Sequence, residues 1–141
     1  QMVNKGDAKI KGFEFEVNFV LLEKLQTILN YTNTNNDNES LRIPENKINA
    51  NFSYAINKTN LALNFRYTDK RDDTYFKPDF TYESIILEAY SLLEISVNRE
   101  LIKNQLTAFA SIGNLLNEEF EEIYGYNTKG RNYTLGFKLK I

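Results

Sequence analysis

Four glutamates crowd into the stretch NEEFEEIY, at Glu118, Glu119, Glu121 and Glu122. Carboxylates at this density raise two kinds of chemistry, the binding of a hard cation and proton transfer between paired acids. The spacing favours neither. The run lacks the glycine-turned loop and the alternating Asp/Asn ligands of an oxygen-ligand cation site, and it reads as a solvated loop. Gly125 and Gly130 flank YNTK, a spacing that suggests a phosphate cradle, but no G-K-[ST] and no helix follow, so a turn is expected there. The chain contains no histidine and no cysteine. That removes the commonest general base near neutral pH, the commonest metal ligand, thiol nucleophiles and disulfides. No nucleophile stands beside a base, so no catalytic, metal-binding or cofactor-binding residue is assigned, and an enzyme is not expected.

Binding chemistry is the better prospect. The segment DKRDDTYFKPDF mixes charge with aromatic rings, and Tyr75, Phe76 and Phe80 offer flat apolar surface for a ligand, against the plain alternative of a surface loop. Arg131 opens the last segment and is expected either to pair with Glu121 or Glu122, pinning the last loop, or to be an unpaired surface charge. Lysines and arginines number 17 against 19 acidic residues, for a net charge of −2. That balance argues against the broad positive face a nucleic acid requires.

The elements that must position these residues read as strands. FEFEV sets Phe13, Phe15 and Val17 against Glu14 and Glu16, and LQTILNYT alternates in the same way. INANFSYAI puts Ile48, Ala50, Phe52, Tyr54 and Ile56 on one face, and LALNFRYT opposes Leu61, Leu63, Phe65 and Tyr67 to Ala62, Asn64, Arg66 and Thr68. The last segment opposes Tyr133, Leu135, Phe137, Leu139 and Ile141 to Asn132, Thr134, Gly136, Lys138 and Lys140. Less regular strands are expected over 84–97 and 105–113, for a total of seven. At 141 residues the chain has the length of one structural unit or a piece of one.

The connections alternate short and long, which predicts an all-β, antiparallel up-and-down meander with its long loops at one end. Transmembrane β-barrels show this arrangement, with short periplasmic turns and longer extracellular loops. One face is apolar and the other polar. Alternation alone fits either a soluble β-barrel or sandwich that binds an apolar ligand in its core, or a membrane wall whose apolar face meets lipid. Tyr31, Tyr67 and Tyr133 fall on the apolar face at the long-loop end, where an aromatic girdle belongs, although Tyr is also a favoured strand residue at a core margin. Bacterial single-chain barrels close with even strand numbers, so seven strands would be part of a larger wall. No apolar run approaches the roughly 20 residues of a spanning helix. Gln1 precedes Met2, so residue 1 is expected to lie inside a longer parent unless Gln1 is a cloning scar.

The C-terminal part, LEAYSLLEISV followed by ASIGNLLNEEFEEIYGYNTKGRNYTLGFKLKI, resembles the end of TonB-dependent outer-membrane receptors. There an N-L-F-D-like turn, an aromatic-acidic stretch, GY…GR and an alternating last strand recur. NKGDAKIKGFEFEV, with Gly12 and Glu14, is similar to that family's N-x-x-x-A-x-x-x-G-x-E strand opening. Within the family, YGYNTKGRNYTL is most similar to the ending of vitamin B12 (cobalamin) receptors. The resemblance implies that residues 1–141 are the C-terminal part of a 22-stranded barrel in the outer membrane of a Gram-negative bacterium. It implies import of cobalamin or a ferric siderophore, with the TonB complex engaged through an N-terminal part and a plug domain absent here. Outer-membrane lipid and the barrel assembly machinery are its other implied partners. Thr134, Gly136, Leu139 and Ile141 resemble the polar-x-Gly-x-x-apolar-x-apolar signal read by that machinery, with Ile141 where the family usually has Phe.

Overall fold

The computed structural model describes residues 9–36 and 40–140. They form nine strands: β1 (Ile10–Leu21), β2 (Leu25–Asn36), β3 (Asn46–Ile56), β4 (Thr59–Thr68), β5 (Arg71–Phe76), β6 (Tyr82–Leu87), β7 (Tyr90–Ile102), β8 (Leu106–Gly113) and β9 (Asn132–Leu139). Seven build one antiparallel sheet in the order β1-β2-β3-β4-β7-β8-β9, while β5 and β6 pair only with each other. The expected seven-stranded meander is therefore present as an open wall. The strand expected over 84–97 is divided, however. Residues up to Leu87 close the small hairpin, Glu88 and Ala89 leave it, and Tyr90 opens β7. The broken alternation in SIILEAYSLLEISV marks a change of sheet.

Register keeps the two faces separate across the wall, with one shift, between Glu100 and Ile102 at the end of β7. Partners in an antiparallel pair point the same way, so one row runs Phe19–Thr27–Phe52–Leu63–Ile95–Ile112–Tyr133. The next runs Leu21–Leu25–Tyr54–Leu61–Val97–Ala110–Leu135. On the opposite face the rows read Glu16–Asn30–Asn49–Arg66 and Gln26–Ser53–Ala62–Ser96–Ser111–Thr134. The apolar face is uncovered: Phe15 is 59% exposed and Leu135 79%. This corrects the soluble alternative, in which Phe52, Phe65 and Leu135 form a dry core, because the wall is a single layer and no described element packs on that face. The buried apolar side chains among the described residues are Leu87 and Tyr90, both near the small hairpin.

The turns explain where the asparagines go. Residues 22–24, 57–58 and 103–105 join strands at one end, and residues 40–45, 69–89 and 114–131 lie at the other. Asn57 and Asn104 take left-handed φ values of 52° and 58° in the short turns, and Asn114 and Asn117 take 48° and 56° in the last long connection. Asparagine tolerates that region because its short side chain bonds locally. Leu22 and Glu23, at φ 52° and 60°, take the same region in the β1–β2 turn.

The wall ends on a specific contact. Gly136 on β9 lies opposite Phe109 on β8, and a Cβ there would stand 2.5 Å from the ring's Cζ. Gly136→Ala is expected to cost about 1–3 kcal/mol through overpacking. The cost should fall sharply when Phe109→Leu is combined with it, a coupling readable as urea midpoints followed by circular dichroism in detergent.

Candidate functional site

The long connections converge at one carboxylate. Asp73 on β5 is fully buried and accepts hydrogen bonds from three separate segments. Arg42 Nε, from the β2–β3 connection, donates to its Oδ1 at 2.8 Å. The Tyr124 N–H, from the β8–β9 connection, donates to Oδ2 at 2.9 Å. The Thr74 N–H on its own strand donates to Oδ1 at 2.8 Å. The Arg42 N–H adds a main-chain bond to the Asp72 carbonyl at 2.7 Å. Burial alone would push the Asp73 carboxyl up. The Tyr124 and Thr74 N–H groups and the Arg42 guanidinium outweigh it and hold the group below the usual carboxylate range.

A second cluster lies beside it on the polar face. Tyr90 begins β7 and is 3% exposed. Its hydroxyl donates to Glu122 Oε1, its ring packs on Phe120 at 4.3 Å between centroids, and the guanidiniums of Arg66 and Arg71 lie 5.8 and 5.4 Å from its ring centroid. Arg71 Nη2 bonds the Glu121 carbonyl at 2.8 Å and Glu122 Oε2 at 3.0 Å. The β8–β9 connection is thus folded onto the polar face. Around it open two clefts. One of about 610 Å³ lies between Ile86–Ala89 and residues 117–130. The other, of about 580 Å³, is lined by Asn36, Asp69, Arg71 and Ile86 among others.

The expected site residues fall as follows. Tyr75 and Phe76 lie in β5 and Phe80 in its turn, so the segment read as a loop is a strand hairpin. Phe76 and Phe80 stand edge to face at 6.0 Å, Phe76 packs on Tyr82 at 5.0 Å, and Tyr75 meets Tyr124 at 5.5 Å. Tyr31, Tyr67 and Tyr133 all sit on the apolar face near the long connections. Two of their hydroxyls are tied down, Tyr31 to Asn46 Oδ1 at 2.7 Å and Tyr67 to Asp69 Oδ1 at 3.3 Å. Thr134 and Gly136 point to the polar face and Leu139 to the apolar one, while Ile141 lies outside the described residues.

Arg131 pins the last loop, but not through Glu121 or Glu122. Its Nε bonds the Leu115 carbonyl at 2.9 Å, and its N–H bonds Asn117 Oδ1 at 2.9 Å. The four glutamates do not converge: Glu122 turns to Tyr90 and the arginines, and Glu121 Oε1 accepts from the Gly125 N–H at 3.3 Å. Gly125 makes the expected turn at φ 79°. Sequence reading missed Asp73, Arg42, Arg71 and Tyr90. Charged residues inside a charged run gave no sign that two of them are buried.

Asp73→Asn is expected to lower the local stability of the long connections by about 1–3 kcal/mol, since it weakens hydrogen bonds to a charged acceptor. Faster amide exchange at Tyr124 and in residues 40–45, with the wall unchanged, would check it. The carboxyl of Asp69 is also held low, first by the Asn46 amide. Both groups therefore contribute stability that is fully present above their ordinary value of 3.8 and lost as pH falls through the lower folded values. An acid titration should release the connections only below that ordinary value, and Asp73→Asn should reduce the pH dependence.

Comparison with known proteins agrees with this architecture. The TonB dependent receptor-like β-barrel family matches residues 1–115. Among solved structures, the chain is similar to the pyoverdine outer membrane receptor of Pseudomonas aeruginosa bound to pyoverdine, at 19% identity and TM-score 0.78, covering 95% of this chain and 22% of that one. It is similar to the receptor FpvAI in complex with a pyocin, at 20% identity and TM-score 0.78, covering 92% of this chain and 20% of the other. It is also similar to the ferric-catecholate import receptor of E. coli, at 16% identity and TM-score 0.76, covering 94% and 21%. The chain thus spans about a fifth of the length of the solved receptors it matches. With a family match over most of its length and a wall of the same architecture, the chain belongs to the TonB-dependent receptor-like β-barrel family, whose members are transport proteins of the Gram-negative outer membrane.

Proposed function

We propose that residues 1–141 are the C-terminal wall of a TonB-dependent receptor that imports a ferric siderophore. The observation that carries this reading is the gathering of all three long connections into one hydrogen-bonded body at a single end of the wall, beside its polar face. Such a body suits a ligand-capturing mouth, while the uncovered apolar face suits lipid. The strands of the wall run from 8 to 13 residues, against the roughly 9–11 needed to cross a bilayer at a tilt. The pyoverdine and ferric-catecholate receptors among the similar structures supply the siderophore class.

In this reading Tyr31, Tyr67 and Tyr133 form the outer aromatic girdle, and Tyr75, Phe76 and Phe80 contact the ligand. Thr134, Gly136, Leu139 and Ile141 are the signal for the barrel assembly machinery. The plug and the segment that meets the TonB complex belong to the remainder of the polypeptide, and no catalytic role is assigned. Cobalamin is the second reading, favoured by the likeness of YGYNTKGRNYTL to cobalamin receptors.

Uptake by cells that carry the complete polypeptide as their sole receptor tests the proposal. TonB-dependent accumulation of labelled ferric pyoverdine or a ferric catecholate is expected; cobalamin uptake without iron uptake would replace the first reading by the second. The facing is tested separately. Phe52→Lys on the apolar face should cost about 2–4 kcal/mol of folding stability in lipid if it lies near the midplane, whereas Ser53→Lys on the polar face should cost far less. Equal costs would refute a lipid-facing apolar side.

A further inference from the structure

Two guanidiniums share one carboxylate on the polar face, and neither is fully used. Arg66 Nη2 approaches Glu122 Oε1 at 3.7 Å, too far for a hydrogen bond. Arg71 has a side chain only 2% exposed and spends Nη2 on both the Glu121 carbonyl and Glu122. Its Nη1 is buried and meets no acceptor among the described residues. A buried guanidinium with an unpaired N–H edge is costly, and carboxylates ordinarily engage Arg through two parallel bonds. Glu122, fixed by its own main chain, engages Arg71 from one nitrogen only. Glu122 is also half-exposed, as is Arg66, so the pair is reachable from outside while Arg71 beneath them is buried. The other nearby carboxylates are engaged elsewhere, Asp73 with Arg42 and Glu121 with the Gly125 N–H. Two guanidiniums, Arg66 and Arg71, thus face the single side-chain carboxylate of Glu122.

We propose that Arg66, Arg71 and the Tyr90 hydroxyl form an anion seat that Glu122 occupies as a built-in stand-in, and that a carboxylate-bearing ligand displaces it and frees residues 118–123. A free carboxylate is not tethered, so it can lie flat against both Nη1 and Nη2 of Arg71 and accept from Arg66 at bonding distance. The displaced segment stays bounded. Asn114 holds one side through the Glu118 N–H and carbonyl, and Asp73 holds the other through Tyr124. Ligand capture is thereby converted into release of one limited piece of the β8–β9 connection.

The inference rests on the receptor reading only for the claim that the anion belongs to a transported ligand; the seat is testable without transport. The complete polypeptide in detergent is titrated with citrate by calorimetry, alone and as Glu122→Gln and Arg66→Gln/Glu122→Gln. Arg66 and Glu122 are each about half-exposed, so these changes leave the wall intact. Glu122→Gln is expected to bind citrate roughly ten-fold more tightly than the unaltered protein, a coupling in the usual range between linked sites. The added Arg66→Gln should abolish that gain. In the unaltered protein, citrate should raise amide exchange across residues 118–123. An affinity indifferent to Glu122→Gln, a gain retained after Arg66→Gln, or unchanged exchange over 118–123 would each overturn the seat. Failure of siderophore uptake with this citrate response intact would overturn the siderophore reading alone.

Discussion

Everything in this wall depends on register. Side chains alternate with a period of two, so a slip of one residue in any of the six pairings would send that strand's apolar set to the polar face. The pairings prevent this by holding their phase from β1 to β9, apart from one shift between Glu100 and Ile102 beside the β7–β8 turn. Rows of apolar side chains cross the sheet on one side, and Asn, Ser, Thr and charged residues cross it on the other. The tight turns hold the phase, above all Asn57–Lys58, where Ile56 and Thr59 pair directly. A two-residue connection leaves no slack for another register. A single layer with one uncovered apolar face and two outer strands, β1 and β9, each paired on one side only, has its unmet needs at its borders.

The other end is organised by charge. Asp73 lies on a strand outside the wall, yet it fixes the positions of the β2–β3 and β8–β9 connections through partners 31 and 51 residues away. Apolar burial contributes little there beyond Leu87 and Tyr90. A carboxylate with no exposed surface and acceptor bonds on both oxygens replaces a hydrophobic core as the organiser. It keeps its charge because N–H groups and a guanidinium stand in for water.

This division explains what the sequence could and could not disclose. Alternation in FEFEV, INANFSYAI and LALNFRYT exposed the wall, because each strand carries its two faces in its own residues. The unequal connections exposed the meander. The small hairpin stayed hidden because its inward residues include Arg71 and Asp73, and buried charges erase the pattern that marks a strand. Its second half ran into β7 without a turn signal and was read as one strand. Tyr75, Phe76 and Phe80 were legible as aromatics, but the node beneath them was not, since a residue's partner across 51 positions leaves no periodic trace. Arg131 could be read either as a tether to Glu121 or Glu122 or as an unpaired surface charge. Its acceptor, a backbone carbonyl at Leu115, has no side-chain signature.

The hairpin is fastened at its base and loose at its tip. Asp73 and Arg71 engage the neighbouring connections, while Phe80 and Tyr82, at 82% and 73% exposure, each pack on Phe76. Changes between Phe76 and Tyr82 therefore fall outside the bonds that set the scaffold, and changes at Arg71 or Asp73 fall inside them. Lineages can drift rapidly at the first set and barely at the second. The same boundary marks where a foreign peptide could be grafted with the frame left standing.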